Sequence, residues 1–381
     1  TIKNNHIKNY FTDFKNQITL TGGSLNFNLN NKNKINLKIK SKYFLNENQK
    51  PKNILNKYSK LNLFEKYELD IDISENNLVI DEINFTKNLD EKLFLNLIFT
   101  KNKKNYKLKD LKVFNKRNSF NAKNIFFNKN YKILDFDNFQ ANYYNKENYY
   151  NSIFINKKKN VINFSSTSID LSDNIDAILK SKNNKKILNI FKNLNSTVNL
   201  NLKSVKIDKD HEFQNFIGNV MIKNNKIDEA NLSAKFNNNN NFIYTIKEID
   251  KKKITTIFSD LAKPFVRKFD FIKGFEGGKL DYTSVKVNEN LSKSEIRIYD
   301  FKLQDMPMLT KLLSLASLQG IADLATGEGI RFNEVEMFFN NSKNLITINE
   351  IYALGPAISI LMEGYVEKNK LVSLRGTLVP A

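Results

Sequence analysis

Apolar and polar residues alternate with a period of two through much of this chain. In residues 25–40, Leu25, Phe27 and Leu29 and then Ile35, Leu37 and Ile39 fall at every second position, with Asn and Lys filling most positions between them. A strand sends successive side chains to opposite faces, so this stretch predicts two half-buried strands joined by an Asn/Lys turn. The pattern returns at Leu69, Ile71 and Ile73, at Leu93, Leu95, Leu97 and Phe99, at Val198, Leu200 and Leu202, and at Ala230, Leu232, Ala234 and Phe236. Asn-rich stretches such as Asn237 to Asn241 separate the runs, and Asn tolerates the left-handed backbone that hairpin turns need. Hairpin after hairpin predicts a long antiparallel sheet with one apolar face, which must be covered or must bind something apolar.

Helical spacing is rare. Residues 174–194 and 254–269 carry it roughly, with Pro264 expected to kink or end the second. A third segment, 306–326, stands apart as a Leu/Ala/Ser-rich stretch in an Asn/Lys background. On a helical wheel Leu309, Leu312, Leu313, Leu315 and Ala316 cover about 160° of surface, opposite Thr310, Lys311, Ser314 and Ser317. Asp305 is placed to cap it, Pro307 suits its first turn, Gly320 weakens its continuation, and Gly327 and Gly329 end it. This helix is expected either to plug the open end of a sheet or to gate an apolar groove.

Composition divides the chain near residue 273. Beyond it stand 11 basic and 13 acidic residues, with nine of the twelve glycines, whereas the first 273 residues carry the positive charge. We therefore expect a basic strand region, 1–273, and a second region, 274–381, with more tightly specified backbone. The net charge of +20 invites a nucleic-acid reading. Only five of the sixty basic residues are Arg, though, and Lys, Asn, Ile, Phe and Tyr are all in excess, as an AT-biased coding sequence produces. Readers of nucleic acid lean on Arg for bidentate contacts, so no nucleic-acid partner is expected. Attraction of the lysines to an anionic membrane surface stays open.

Chemistry-bearing motifs are thin. There is no cysteine, which removes thiol nucleophiles and Cys-based metal sites. His211 sits in "DKDHE" (208–212), read as a solvated turn whose side chains diverge rather than a metal site. Asp70 and Asp72 share the polar face of an amphipathic strand. The glycines at 22–23, 277–278 and 327–329 lack the spacing of a phosphate-binding loop. No catalytic, cofactor-binding or metal-binding residue is assigned, and an enzyme is not expected. No run of about 18 apolar residues occurs, and no leader is visible.

Four segments in fixed order carry a resemblance: "FEGGKLDY" (275–282), "IYDFKLQDMPMLTKLLSLASLQGIADLATGEGIRF" (298–332), "ALGPAISILMEGYV" (353–366) and "LVSLRGTLVPA" (371–381). Together they resemble the C-terminal region of the AsmA-like family, in particular its YhdP-type branch. The signature falls on Gly277, Gly278, Pro307, Ser317, Gly320, Gly329, Gly355, Pro356, Gly376 and Pro380, and it covers roughly the last 120 residues. The resemblance implies a strongly curved antiparallel sheet forming a hydrophobic groove. It implies a periplasmic protein of the Gram-negative envelope, anchored in the inner membrane, that passes phospholipid towards the outer membrane. Relatives have an N-terminal anchor and continue beyond the equivalent of Pro380-Ala381, so both ends of this chain are expected to be cut.

The residues agree with that expectation, since acyl chains need apolar surface shielded from water and no single polar site. Candidate groove-lining residues are Leu25, Phe27, Leu29, Ile35, Leu37, Leu95, Leu97, Ile358, Ile360 and Met362. The rival expectation is a structural or assembly-assisting β-protein whose apolar face is filled by its own side chains. Polyanion binding is a weaker third.

Overall fold

The computed structural model describes residues 19–30, 34–44, 52–61, 64–74, 76–89, 91–101, 106–172, 188, 190–237, 239–266, 274–304, 329–342, 344–367 and 371–380. Before residue 57 the strands are described by their backbone register. The protein is mainly β, and the chain divides into two compact units: Thr1–Lys206 with Ile222–Lys226, and Ile207–Met221 with Ile227–Ala381. The composition changes near 273, but residues 227–266 pair with the strands that follow them and belong to the second unit.

The first unit holds β1 (Thr19–Asn30), β2 (Lys34–Phe44), β3 (Lys52–Leu61), β4 (Phe64–Asp72), β5 (Leu78–Ile80), β6 (Phe85–Lys87), β7 (Phe94–Lys101) and β8 (Tyr106–Phe114). It continues with β9 (Ser119–Phe127), β10 (Ile133–Asp135), β11 (Asn138–Tyr144), β12 (Tyr150–Lys158), β13 (Val161–Ser166), β14 (Ile169–Asp170) and β15 (Ser196–Lys206). Neighbours in the sheet run β1-β2-β3-β4-β7-β8-β9-β11-β12-β13-β15, with β10 also on β9. The alternation at 25–40 gives β1 and β2, in the register Leu25↔Ile39, Phe27↔Leu37 and Leu29↔Ile35.

One pairing departs from the antiparallel expectation. β13 and β14 both run parallel to β15, from Val161↔Thr197 to Asp170↔Lys206. Parallel neighbours need a crossover instead of a tight turn, and residues 171–195 supply its length. Most of the helix expected at 174–194 lies outside the described residues.

The second unit takes in β16 (Glu212–Lys223) at its start, then β17 (Lys226–Phe236), β18 (Asn241–Ile249), β19 (Lys252–Ser259), the short helix α1 (Lys263–Val266), β20 (Phe275–Asn288) and β21 (Leu291–Leu303). It ends with β22 (Ile330–Ser342), β23 (Leu345–Leu354), β24 (Ile358–Glu367) and β25 (Leu371–Pro380). From β17 to β25 each strand pairs antiparallel with the next, a plain meander. The helix expected over 254–269 is corrected: Lys252–Ser259 is strand β19, and only Lys263–Val266 is helical. Ile254, Thr255, Thr256, Ile257 and Phe258 are β-branched or aromatic, types that suit a pleated surface and crowd a helix. Pro264 sits inside the first turn of α1, where its missing amide costs nothing.

Each unit has a short segment folded onto the apolar side of its own sheet. In the first, residues 73–93 bring Phe85 against Phe120 and Tyr143, ring centroids 5.0 and 5.8 Å away. The Tyr143 hydroxyl donates to the Ile83 carbonyl at 3.0 Å. Lys87 is fully buried beside them, its ammonium donating to the carbonyls of Ser74, Asn76 (2.8 Å) and Asn88 (2.8 Å). In the second unit, residues 259–266 bury Ala262 and Val266 against Phe275, Leu280, Ile298, Phe301, Ile330 and Phe332. Gly278 lets that segment approach: its φ is +81°, its carbonyl accepts from the Ala262 amide at 2.7 Å, and an added Cβ would stand 3.2 Å from the Ala262 methyl.

Candidate functional site

Strand register assembles the scattered alternating residues into continuous rows. In the first unit Leu69, Leu97, Leu111, Ala122, Phe139, Ile155, Phe164 and Leu200 are successive cross-strand partners across eight strands. The row extends by register through Asn56 and Ile39 to Leu25. Ala122 is buried and the other seven from Leu69 to Leu200 are half-buried. A flanking row, Ile71, Leu95, Val113, Phe120, Ala141, Ile153, Ser166 and Leu202, includes the phenylalanine beneath Phe85. The apolar surface is thus a strip, with a plug along one side.

The second unit repeats the arrangement. Ser259, Leu280, Ile298, Val335, Ala353, Ile360 and Leu378 form a row that is largely buried under the 259–266 segment. Beside it run Tyr244, Ile257, Tyr282, Ile296, Met337, Ile351 and Met362, all half-buried. Burial, aided by the neighbouring Tyr282, pushes the Tyr244 phenol up to about 12, so Tyr244 is neutral near pH 7. Tyr282 shares its hydroxyl with Ser294 at 3.4 Å, and Ser294 donates onward to Ser284 at 2.9 Å. This strip carries no acid and no lysine.

The opposite faces carry most of the polar side chains and several side-chain pairs, together with exposed apolar residues such as Phe94, Phe114, Phe154, Tyr352 and Leu361. Asn156, Asn163 and Asn199 stand in register and hand amide hydrogen bonds along at 3.0 Å each. Arg297 joins Glu295 (2.8 Å) and Glu336 (2.6 Å), and Arg375 joins Glu363 (2.6 Å). Exposed pairs of this kind contribute little stability and chiefly keep this face wet.

Of the residues assigned from sequence, Leu25, Phe27, Leu29, Ile35 and Leu37 occupy facing register positions on β1 and β2. Leu97 lies in the half-buried row, and Leu95 in the flanking one. Ile358 and Ile360 are corrected from open lining to core: they are 1% and 9% exposed, closed in with Ala262, Val266 and Phe332. Met362 sits at the margin of that core. Sequence reasoning missed both plugs, because short irregular segments bury residues without periodicity. Leu309, Leu312, Leu313, Leu315, Ala316, Pro307, Ser317 and Gly320 lie outside the described residues. Among the remaining signature positions, Gly277, Gly278 and Gly329 have left-handed backbone, Gly355 and Pro356 form the turn before β24, and Gly376 and Pro380 lie on β25.

The turn after β15 also differs from expectation. The side chains of Asp208, Asp210 and His211 converge instead of diverging, with donor atoms within 4.8 Å. Asp208 accepts from the backbone amides of Asp210 and His211 at 2.8 Å and meets the His211 ring nitrogen at 2.8 Å. The cluster therefore closes its own turn. Asp70 pairs with Asn96, and Asp72 accepts from the Ser74 amide at 3.0 Å, so the two carboxylates do separate structural work.

These features define a mainly β protein in which each unit presents a continuous apolar strip on one face and a mixed, more polar face opposite. Among the described residues no helix is long and apolar enough to cross a membrane. No family of known proteins, no curated protein and no solved structure matches the chain.

Proposed function

We propose that this chain is a lipid-binding and lipid-transfer protein of the Gram-negative envelope, with phospholipid acyl chains lying along the apolar strips. One observation carries the reading: cross-strand register makes the half-buried apolar row continuous from Leu69 to Leu200. With neighbouring strands about 4.8 Å apart, eight strands span roughly 34 Å. That is about twice the ~15 Å that a single leaflet's acyl chains occupy in a bilayer core. Each buried CH₂ contributes about 0.8 kcal/mol wherever it lies, so a chain sliding along uniform residues meets no single deep well. The role is non-catalytic, and the location is periplasmic, with inner-membrane attachment through a segment outside these residues.

A second reading has its own support. The plugs at 73–93 and 259–266 fill part of each apolar face with the protein's own side chains, as a structural envelope β-protein would. Lipid extraction and mass spectrometry of protein purified from membranes separates the two. Transfer predicts co-purifying phospholipid in the parent, and its loss in a Leu97→Glu, Ile155→Glu variant that keeps its β-sheet circular dichroism. Lipid-free parent protein that also moves no fluorescent phospholipid between vesicles would sink the transfer reading.

A further inference from the structure

On the face opposite the strip, the first unit carries an uncharged field. Register aligns Asn121, Gln140, Phe154, Ser165 and Asn201 across β9, β11, β12, β13 and β15. The adjoining row is Asn138, Asn156, Asn163 and Asn199. None of these positions is charged, in a chain where 26% of residues are. Lysine and asparagine are enriched by the same coding bias, so composition alone would mix them here. Lysine instead stands at the margins, as Lys123 on β9 and Lys203 on β15.

Phe154 occupies the middle of this field and is 41% exposed. Its neighbours in register are Gln140 and Ser165, and along its own strand Ser152 and Asn156. Other exposed rings on these faces sit beside charge, Phe94 in register with Asp72 and Tyr352 with Glu336. The hydrogen bonds from Asn199 to Asn163 and from Asn163 to Asn156 fix three amides in place. Asn163 still keeps one N–H and one carbonyl lone pair in hand. The side chains of Asn121, Asn138, Gln140 and Asn201 make no hydrogen bond among the described residues. A bare ring is thus ringed by groups that can both donate and accept.

We propose that this field binds an uncharged, flat, β-1,4-linked glycan strand. The C–H groups on one face of a pyranose carry slight positive charge and lie well against the negative face of the Phe154 ring. The sugar's hydroxyls both donate and accept, as the amides do, whereas an ammonium only donates and a carboxylate only accepts. Amides also give up their water at far lower cost than charges. Neighbouring strands stand about 4.8 Å apart, nearly the repeat of successive sugars in such a strand. The five strands of the field span about 19 Å, a footprint for an oligosaccharide rather than a single sugar.

Calorimetric titration of the full chain with chitohexaose and with cellohexaose tests this. The parent is expected to bind at least one of them with a Kd on the order of 0.1–1 mM. Uncharged contacts should leave that affinity unchanged between about 0.05 and 0.5 M salt, whereas binding carried by lysines would fall steeply. Phe154→Ala should weaken binding at least tenfold and Phe154→Tyr should restore it. Gln140→Lys with Asn201→Lys, which brings charge into the field, should weaken it as well, and Tyr352→Ala should not. All variants are expected to keep the parent's circular dichroism. No binding of either hexasaccharide at millimolar concentration overturns the proposal. So does binding that survives both Phe154→Ala and the double lysine variant, that Tyr352→Ala abolishes, or that salt removes. None of these readouts involves lipid, and the field lies on the other face of the sheet, so field and strip succeed or fail separately.

Discussion

Replacing Lys87 with Met tests the first unit's plug. The side chain is 0% exposed, and its ammonium serves three backbone carbonyls, those of Ser74, Asn76 and Asn88. Two effects oppose each other in the variant. Removing a buried ammonium relieves a desolvation penalty of several kcal/mol, which is why exchanging a whole buried ion pair for apolar groups is often harmless. Here, however, three partners are main-chain carbonyls that no substitution removes. Each loses a charge-assisted bond worth about 1.5–3 kcal/mol, and those of the buried Ser74 and Asn76 stay behind in a dry site. The second effect wins, for a net loss of about 3–5 kcal/mol, the range seen when one side of a buried charged contact is deleted. Urea unfolding followed by tyrosine fluorescence measures it, since the chain has no tryptophan and Tyr143 packs against Phe85 of the same plug. Lys87→Met within about 1 kcal/mol of the parent would refute this account of the carbonyl cage.

Three further outcomes are expected. Ile358→Ala empties a site 1% exposed and should cost about 3–4 kcal/mol, whereas Leu97→Ala, half-buried, should cost about half that in the same urea titration. Burial raises the Asp170 carboxyl, but hydrogen bonds from Ser172, Lys206 and Asn145 outweigh it and hold the group below the usual range. Its stabilisation is therefore present above the unfolded-state value near 4 and lost as pH falls through the depressed folded one; Asp170→Asn should flatten the parent's decline in stability below about pH 4. Gly376→Ala would place a methyl 2.0 Å from the Leu361 carbonyl oxygen, so β25 should lift from β24 and its amides should exchange at least tenfold faster by hydrogen–deuterium mass spectrometry.

What was legible in the sequence was whatever repeats at short range. The alternation at 25–40, 69–73, 198–202 and 230–236 marks strands, and the turns between them take the left-handed residues that Asn favours, as at Asn224, Asn225 and Asn239. Residues 254–269 misled because Ile254, Ile257, Phe258 and Leu261 fit helical spacing, while their β-branched neighbours decide for strand β19. The parallel pairing of β13 with β15 was invisible, since it joins residues about 36 apart and leaves no local mark. The strips were half legible. Which residues alternate is local information, but which rows they join depends on register and bulges, such as the left-handed Asp300 opposite the Gly277–Gly278 bend. Burial of Ile358 by Ala262 and Val266 depends on a segment some ninety residues away.

The meander from β17 to β25 has a consequence for how the molecule comes apart. Among the described residues each strand there is bonded to its chain neighbours alone, so cooperativity travels along one dimension, as in repeat arrays. Melting should then proceed strand by strand along the meander, halting where the 259–266 plug bolts several strands together. Unfolding of this unit would be a zipper with a stop in it, and denaturation curves read by different probes should not coincide.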